Sequence, residues 1–455
     1  MPTPLPPDWT DRLALDRAHV WHPFTQMQVH EADPPVPVVG GEGCDLLLAN
    51  GERVLDGISS WWTCLHGHGH PRLVSALERQ AAKLDHVMFA GFTHEPALEL
   101  VVRLRPKLPL NLTRAFFSDD GSTAVEVALK MAFQAHLQRG QKGRDRFGAL
   151  RGGYHGDTLG AVGVGELDNF MTGLFRPLLL ACERLEVPED PRREVAPDLT
   201  DWPERLEAAR QSMAGFFATH GERLAAFIAE PLIQCAGGMR MWPPELLREL
   251  QAQCDAHGVY LILDEVATGF GRTGTFLACE QAGVAPDLLC LSKGLTGGTL
   301  PLSMTWATEE LYGHFWGTPA SGRAFLHGHS YTGNATACAV ACASLALFDD
   351  EPVLANAAAL NEAMTAAFTA LAAHPAVRQA RVLGTIGACR LVDPATGAAH
   401  PPDDRFGWRL HRRALDRGLL VRPMGDCLYL LPPLSTPPGR IHEAAETLLD
   451  LLSRE

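Results

Sequence analysis

The spacing of hydrophobic positions changes character three times along the 455-residue chain. Over residues 38–56, short apolar runs are broken by glycine and Asn-Gly pairs. They read as paired strands: Val38-Val39, a turn at Gly40-Gly41-Glu42-Gly43, a run over 44–48, the Asn50-Gly51 turn and a run over 53–56. Residues 71–84 repeat their apolar positions at helical spacing. From about residue 92 to 332, short apolar runs alternate with longer amphipathic ones. That is the signature of a mainly parallel sheet covered by helices. The predicted strands are 114–118, 146–150, 226–230, 259–264, 287–292 and 302–308, with a polar, Pro-rich surface loop over 186–203. Beyond about residue 352 the text becomes Ala-rich and helical. It then predicts a strand over 386–392, a helix ending near Gly418, a hairpin over 419–431 and a terminal amphipathic helix. The expected architecture is α/β. Residues 1–60 form an arm and strands, 61–345 a large domain, and 346–455 a smaller α/β domain packed with the N-terminal strands.

Composition narrows the function classes. A net charge of −14 argues against nonspecific nucleic-acid binding and against an anionic membrane surface. Eleven cysteines, an odd number with no C-x-x-C pair, suggest buried thiols in a reducing cytoplasm rather than a disulfide framework. The proline-rich opening, residues 1–9, lacks the basic and apolar regions of a signal peptide, and no run is long enough for a transmembrane helix. His66, His68 and His70 alternate in a Gly/Pro loop, but no Cys/His cluster of ligand spacing completes them, so no metal is expected.

Several strand ends carry chemistry. Asp287 to Leu291 reads as a buried strand closing on Lys293 and a Gly-rich turn. Such a lysine either snorkels to water or, desolvated, becomes a neutral nucleophile towards carbonyls. Asp264 ends the strand 259–264, where it serves a metal or a cationic partner, while Glu265 faces the other side as a structural acid. Gly121, Ser122 and Thr123 open a strong helix. They make either an anion site or ordinary capping, with Asp119 and Asp120 disfavouring a phosphate unless turned away. Tyr154, flanked by glycines, offers a stacking ring, and the run from His327 to Asn334 brings hydroxyls to another helix start. Together, a Schiff-base lysine, a carboxylate for a pyridinium nitrogen, a stacking aromatic and a phosphate site are what pyridoxal phosphate requires.

On these residues the chain resembles a known family. The blocks Asp264-Glu265-Val266-Ala267-Thr268-Gly269-Phe270-Gly271-Arg272-Thr273-Gly274 and Ser292-Lys293-Gly294-Leu295-Thr296-Gly297-Gly298 are similar to those of class III aminotransferases, fold-type I pyridoxal-phosphate enzymes. Trp21-His22-Pro23, Ser59-Ser60-Trp61-Trp62, Tyr154 to Thr158 and Arg422-Pro423-Met424-Gly425 resemble the branch acting on 8-amino-7-oxononanoate. The resemblance implies a Schiff base and proton transfer at Lys293, a pyridine-nitrogen partner in Asp264 and ring stacking by Tyr154. It implies phosphate binding by Gly121 and Ser122, with Gly328 and Ser330 completing the cofactor site, Ser330 from a second subunit of a homodimer. Arg422 is the implied carboxylate binder, Trp61 and Tyr429 channel walls, and Asp157 a polar contact. Two departures stand out. Phe24 replaces the tyrosine usual in the Trp-His-Pro-Tyr motif, which opens the donor to either S-adenosylmethionine or lysine, and Asp120 replaces a small polar residue. The rival readings are a class III enzyme acting on ornithine, 4-aminobutyrate or a diamine, and a non-catalytic pyridoxal-phosphate-binding protein.

Overall fold

The computed structural model describes residues 5–166 and 170–454, so residues 1–4 of the proline-rich opening lie outside the described residues. Two helices, Pro7–His19 and Met27–Ala32, precede the strands β1 (Val38–Glu42), β2 (Asp45–Leu48) and β3 (Arg53–Asp56). These pair antiparallel in order, and the Asn50-Gly51 turn falls between β2 and β3 as predicted. Gly40 and Gly41 lie inside β1 rather than in a turn. The reversal comes at Gly43, whose φ of 58° suits glycine.

The large sheet is built from β4 (Leu112–Ser118), β5 (Arg146–Leu150), β6 (Cys182–Leu185), β7 (Leu224–Ala229), β10 (Tyr260–Asp264), β11 (Leu288–Leu291) and β12 (Ser303–Thr308). A short ribbon, β8 (Ile233–Gln234) with β9 (Arg240–Met241), sits outside it. The strand order is β4-β12-β11-β10-β7-β5-β6. All six predicted strands are present. Neighbours run parallel except at β12, which is antiparallel to both β11 and β4. Strands β7, β10 and β11 are buried along their whole length, as near-continuous apolar runs in a covered parallel sheet should be. Edge strand β6, Cys-Glu-Arg-Leu, has no such signal and is invisible to a periodicity search.

The C-terminal part adds β13 (Val377–Leu383), β14 (Ile386–Leu391), β15 (Leu419–Leu420) and β16 (Cys427–Leu430). Strand β13 escapes sequence reading because a bulge between Arg378 and Arg381, with Gln379 at φ 50°, breaks its alternation. The predicted hairpin over 419–431 does not form. Strand β15 pairs parallel with β3, whereas β16 pairs antiparallel with β14 in another sheet. Between them Pro423 has no N–H to give a ladder, and the segment instead lines a cavity. The β3–β15 pairing joins the two chain ends in one four-stranded sheet, and Leu55 packs into a core made otherwise of C-terminal residues. The interval 186–203 is only partly a surface loop. Val187 and Asp190 are buried, and Val195 donates to the Ala380 carbonyl at 2.9 Å.

Glu265 has the structural role expected of it. Its carboxylate, fully buried, accepts the Ala278 and Cys279 N–H groups at 2.7 and 2.8 Å and the Thr268 hydroxyl at 3.3 Å. Burial pushes its pKa up to about 7, against those bonds. A pKa raised in the folded state stabilises most below the unfolded value, and the contribution is lost as pH rises through about 7. Glu265→Gln presents an amide N–H to a backbone donor and should cost about 1–3 kcal/mol. The gap in thermal midpoint from wild type should narrow between about pH 5 and about pH 8, which a calorimetric series measures directly.

Candidate active site

The parallel strands deliver their carboxyl ends to one edge of the sheet, where ligands sit in such folds. Asp264 is the last residue of β10 and pairs with Cys290 of β11. Two residues after β11 ends comes Lys293, and Glu230 follows β7 directly. Tyr154 and His155 lie in the loop after β5, and the helix Gly121–Gln138 starts just after β4. Because β12 runs the other way, its incoming segment, 298–302, closes the same edge. All of these line one cavity of about 420 Å³.

Lys293 is ringed by protein and reaches solvent only in part, through this cavity. Desolvation pushes its pKa below the ordinary lysine value, although Cys235, Asp264 and Glu230 oppose the shift. Its ammonium lies 4.8 Å from the Trp62 ring centroid. The lysine backbone is itself in the left-handed region, at φ 44°. Of the two readings the sequence left open, this placement is compatible with the desolvated amine.

Asp264 is buried, with Oδ2 held 2.8 Å from His155 Nδ1 and Oδ1 accepting the Val266 N–H at 3.1 Å. One carboxylate is therefore fixed in place by an imidazole that sequence reasoning passed over, although it follows Tyr154 directly. Glu230 was missed as well. It accepts the Tyr154 N–H and the Cys235 N–H at 3.0 Å each, which anchors the tyrosine loop. Burial pushes Glu230 up to about 7, partly offset by His155.

At the other end of the cavity, the helix Gly121–Gln138 begins with a capping box in which Asp120, not Ser122 or Thr123, is the cap. Asp120 Oδ1 accepts the Thr123 N–H at 2.9 Å, and the Thr123 hydroxyl accepts the Asp120 N–H at 3.0 Å. The acid that departs from the family pattern is thus occupied by the helix. Gly121 and Ser122 keep first-turn N–H groups at the cavity wall, with the positive end of the helix dipole behind them. A side chain would fill this cup. A Cβ on Gly121 would lie 2.7 Å from Val266 Cγ1, and one on Gly156, at φ 118°, would lie 1.9 Å from Ser122 Oγ. Ser122 Oγ also accepts the Asp157 N–H at 3.0 Å. A desolvated lysine, a buried carboxylate, an aromatic at the wall and a helix-terminus cup kept clear of side chains fit pyridoxal phosphate.

Trp62, Tyr154 and Lys293 also border a second cavity of about 1030 Å³. Its walls include Phe24, Trp61, Arg422 and Tyr429. Phe24 packs edge-on against Trp61 at 5.5 Å, and the Arg422 guanidinium lies over the Trp61 ring at 5.1 Å. Tyr429 accepts the Trp62 indole N–H at 3.2 Å. The two tryptophans are carried by a left-handed turn. Ser59, Ser60, Trp61 and Trp62 have φ of 50°, 45°, 72° and 73°, a conformation costing roughly 1–2 kcal/mol per non-glycine residue.

Three expected site residues stand apart. Asp157 lines neither cavity, although its carboxylate accepts the Tyr154 hydroxyl at 3.1 Å. Gly328 and Ser330 line neither cavity of their own chain, and the Ser330 carbonyl instead faces His86 Nε2 at 2.7 Å.

Comparison with known proteins gives a consistent picture. The family profile "Aminotransferase class-III" matches residues 26–452. An adenosylmethionine-8-amino-7-oxononanoate aminotransferase of Synechococcus elongatus is 47% identical over 95% of this chain and 98% of its own length. The protein of that name from Nitratidesulfovibrio vulgaris is 44% identical over 94% of this chain and 79% of its own. The crystal structure of the Methanocaldococcus jannaschii protein of that name superposes with a TM-score of 0.91 at 33% identity, covering 98% of this chain and 99% of the other. An (S)-enantioselective omega-transaminase from Thermomicrobium roseum also superposes at 0.91, with 31% identity, over 98% of each chain.

Proposed function

Since the chain belongs to the class III aminotransferases, pyridoxal-phosphate enzymes of fold-type I, we propose that it transfers an amino group from S-adenosylmethionine to 8-amino-7-oxononanoate. The product is 7,8-diaminononanoate, made for biotin biosynthesis. The observation that carries the reading is the pair of joined cavities. The smaller, with Lys293, Asp264 and the helix cup, suits the cofactor. The larger, in which Arg422 lies over Trp61 beside Phe24 and Tyr429, suits a substrate ending in a carboxylate, and its wall also carries Arg151, Arg240 and Arg390 with Glu166, Glu186, Glu189 and Asp426.

Bound pyridoxal phosphate supplies the electron sink and carries the amino group between donor and acceptor. The chain's residues do the rest. Lys293 Nζ, whose pKa burial lowers so that the amine is more readily neutral, moves a proton off the amine-bearing carbon of the donor and, in the second half-reaction, onto the former carbonyl carbon of the acceptor. Asp264, steadied by His155, keeps a proton on the pyridine nitrogen. Gly121 and Ser122 hold the phosphate, and Tyr154, braced by Asp157 and Glu230, covers the ring. Arg422 binds the carboxylate of the oxo acid through its planar fork. Arg422→Ala should raise KM for the oxo acid about 10- to 100-fold, the loss of a charge-assisted pair worth about 1.5–3 kcal/mol. Arg422→Lys should not restore it, and steady-state kinetics on both variants tests this.

One observation favours a second donor. Phe24 sits on Trp61 in the larger cavity, where a tyrosine would offer a hydroxyl. Mixing the yellow holoenzyme with either compound decides between them. Bleaching of the visible band by adenosylmethionine supports the reading above, and bleaching by lysine alone replaces that donor. A homodimer with its sites at the subunit interface accords with Gly328 and Ser330 lying outside the cavities of their own chain. Trp21, Trp316 and Leu326 are also left 88%, 73% and 87% exposed. Among the described residues no helix is long and apolar enough to cross a membrane. All eleven cysteines are free, which suits a cytoplasmic enzyme.

A further inference from the structure

The left-handed turn that carries Trp61 and Trp62 is tied to a carboxylate outside both cavities. Asp56, the last residue of β3, is wholly buried. Its Oδ1 accepts the Ile58 N–H at 3.3 Å, and its Oδ2 accepts the Ser60 hydroxyl at 2.7 Å. The same Oδ2 lies 2.9 Å from His68 Nε2, while His68 Nδ1 lies 3.6 Å from Cys64 Sγ. The turn's first residue is fastened separately, Ser59 Oγ donating to the Leu431 carbonyl at 2.7 Å.

We infer that Asp56, backed by His68, is a positioning residue for substrate selection: it holds residues 59–62 left-handed and so sets where the Trp61 and Trp62 rings stand in the cavities. A chain of ordinary residues leaves this conformation unless its surroundings over-determine it. Asp56 supplies that constraint at the middle of the turn, where Ser60 has φ 45° and ψ 52°. The rings so placed meet Lys293, Arg422, Phe24 and Tyr429. Relaxation to a right-handed turn would swing both indoles off these partners.

Charge reinforces the tie. His68 is pushed up to about 10, first by its bond to Asp56 and then by Cys64. Burial alone would raise Asp56, but the bonds from His68 and Ser60 outweigh it and hold the carboxyl below its ordinary value. The pair therefore stays ionised through neutral pH. Asp56, Cys64 and His68 are also residue types that ligate zinc. One ligand atom from each lies within 4.8 Å of the others, and as they stand the imidazole turns Nε2 to Asp56 and Nδ1 to Cys64.

The inference rests on reading Trp61 and Trp62 as walls of the substrate cavity. Its test uses holoenzyme and the acceptor that wild type turns over, with each variant read as a ratio to wild type. Asp56→Ala should raise KM for the acceptor by about tenfold or more, with kcat within about threefold and cofactor content unchanged. Ser60→Gly alone should stay within about twofold of wild type, because glycine adopts positive φ freely. The double variant should recover most of the lost KM, a rescue that a purely structural role for Asp56 does not produce. A folded Asp56→Ala holoenzyme with wild-type KM would overturn the inference, as would a defect that Ser60→Gly leaves untouched. Should Asp56→Ala not fold, Ser60→Ala removes only the hydroxyl tie and should raise KM about threefold; an unchanged KM there overturns the inference too. Wild-type inactivity on 8-amino-7-oxononanoate would count against the proposed acceptor alone, because the ratios are taken on whichever acceptor is used.

Discussion

Replacing Lys293 by alanine lowers turnover by at least about 10³-fold while leaving the fold intact. The loss is large because no other described side chain combines lysine chemistry with this site, and because burial has already made the amine of Lys293 easier to deprotonate. The fold survives because among the described residues none forms an ion pair with Lys293, whose Nζ lies over the Trp62 ring. The helix cup and Asp264 remain, so the variant still binds cofactor. Borohydride then separates the two proteins. It fixes the cofactor covalently to wild type at position 293 and does not do so in the variant. Arginine at this position does not restore activity, since a guanidinium stays charged.

Replacing Asp264 by asparagine lowers kcat by about 10²- to 10³-fold, the loss expected when one preorganised electrostatic contact is removed. The change isolates charge from shape. An asparagine carbonyl still accepts from His155 Nδ1, 2.8 Å away in the wild type, and the side chain stays the same size. What disappears is the negative charge that, in the proposed role, keeps a proton on the pyridine nitrogen. Single-turnover spectra with donor alone show the defect in chemistry, with donor binding little changed. A kcat within about fivefold of wild type would assign Asp264 a packing role instead.

Much of this site was legible before any coordinates. The strands that carry it are buried apolar runs, which periodicity finds easily, and Asp264, Lys293 and Tyr154 follow at their ends, where a parallel sheet places ligands. The departures have physical causes. His155 and Glu230 support other residues from loop positions, and no local pattern marks a support. A string of letters does not say which way a carboxylate turns: the capping box commits Asp120 Oδ1 to the helix, while Asp119 and Asp120 both still border the cavity. Strands β15 and β16 were read as a hairpin because they are neighbours in sequence, but they belong to different sheets, and a short-range signal cannot reveal that. The left-handed turn at Ser59–Trp62 was hidden most deeply. Ser-Ser-Trp-Trp has no glycine to announce positive φ, and the conformation depends on Asp56 and on contacts from Leu431, far along the chain.

The most direct measurement is product identification. Purified holoenzyme is incubated with 8-amino-7-oxononanoate and either adenosylmethionine or lysine, and the amine products are resolved by mass spectrometry. Wild type should give 7,8-diaminononanoate in an amount matching the donor consumed, and Lys293→Ala none. 8-Amino-7-oxononanoate left unchanged with both donors would contradict the proposed function.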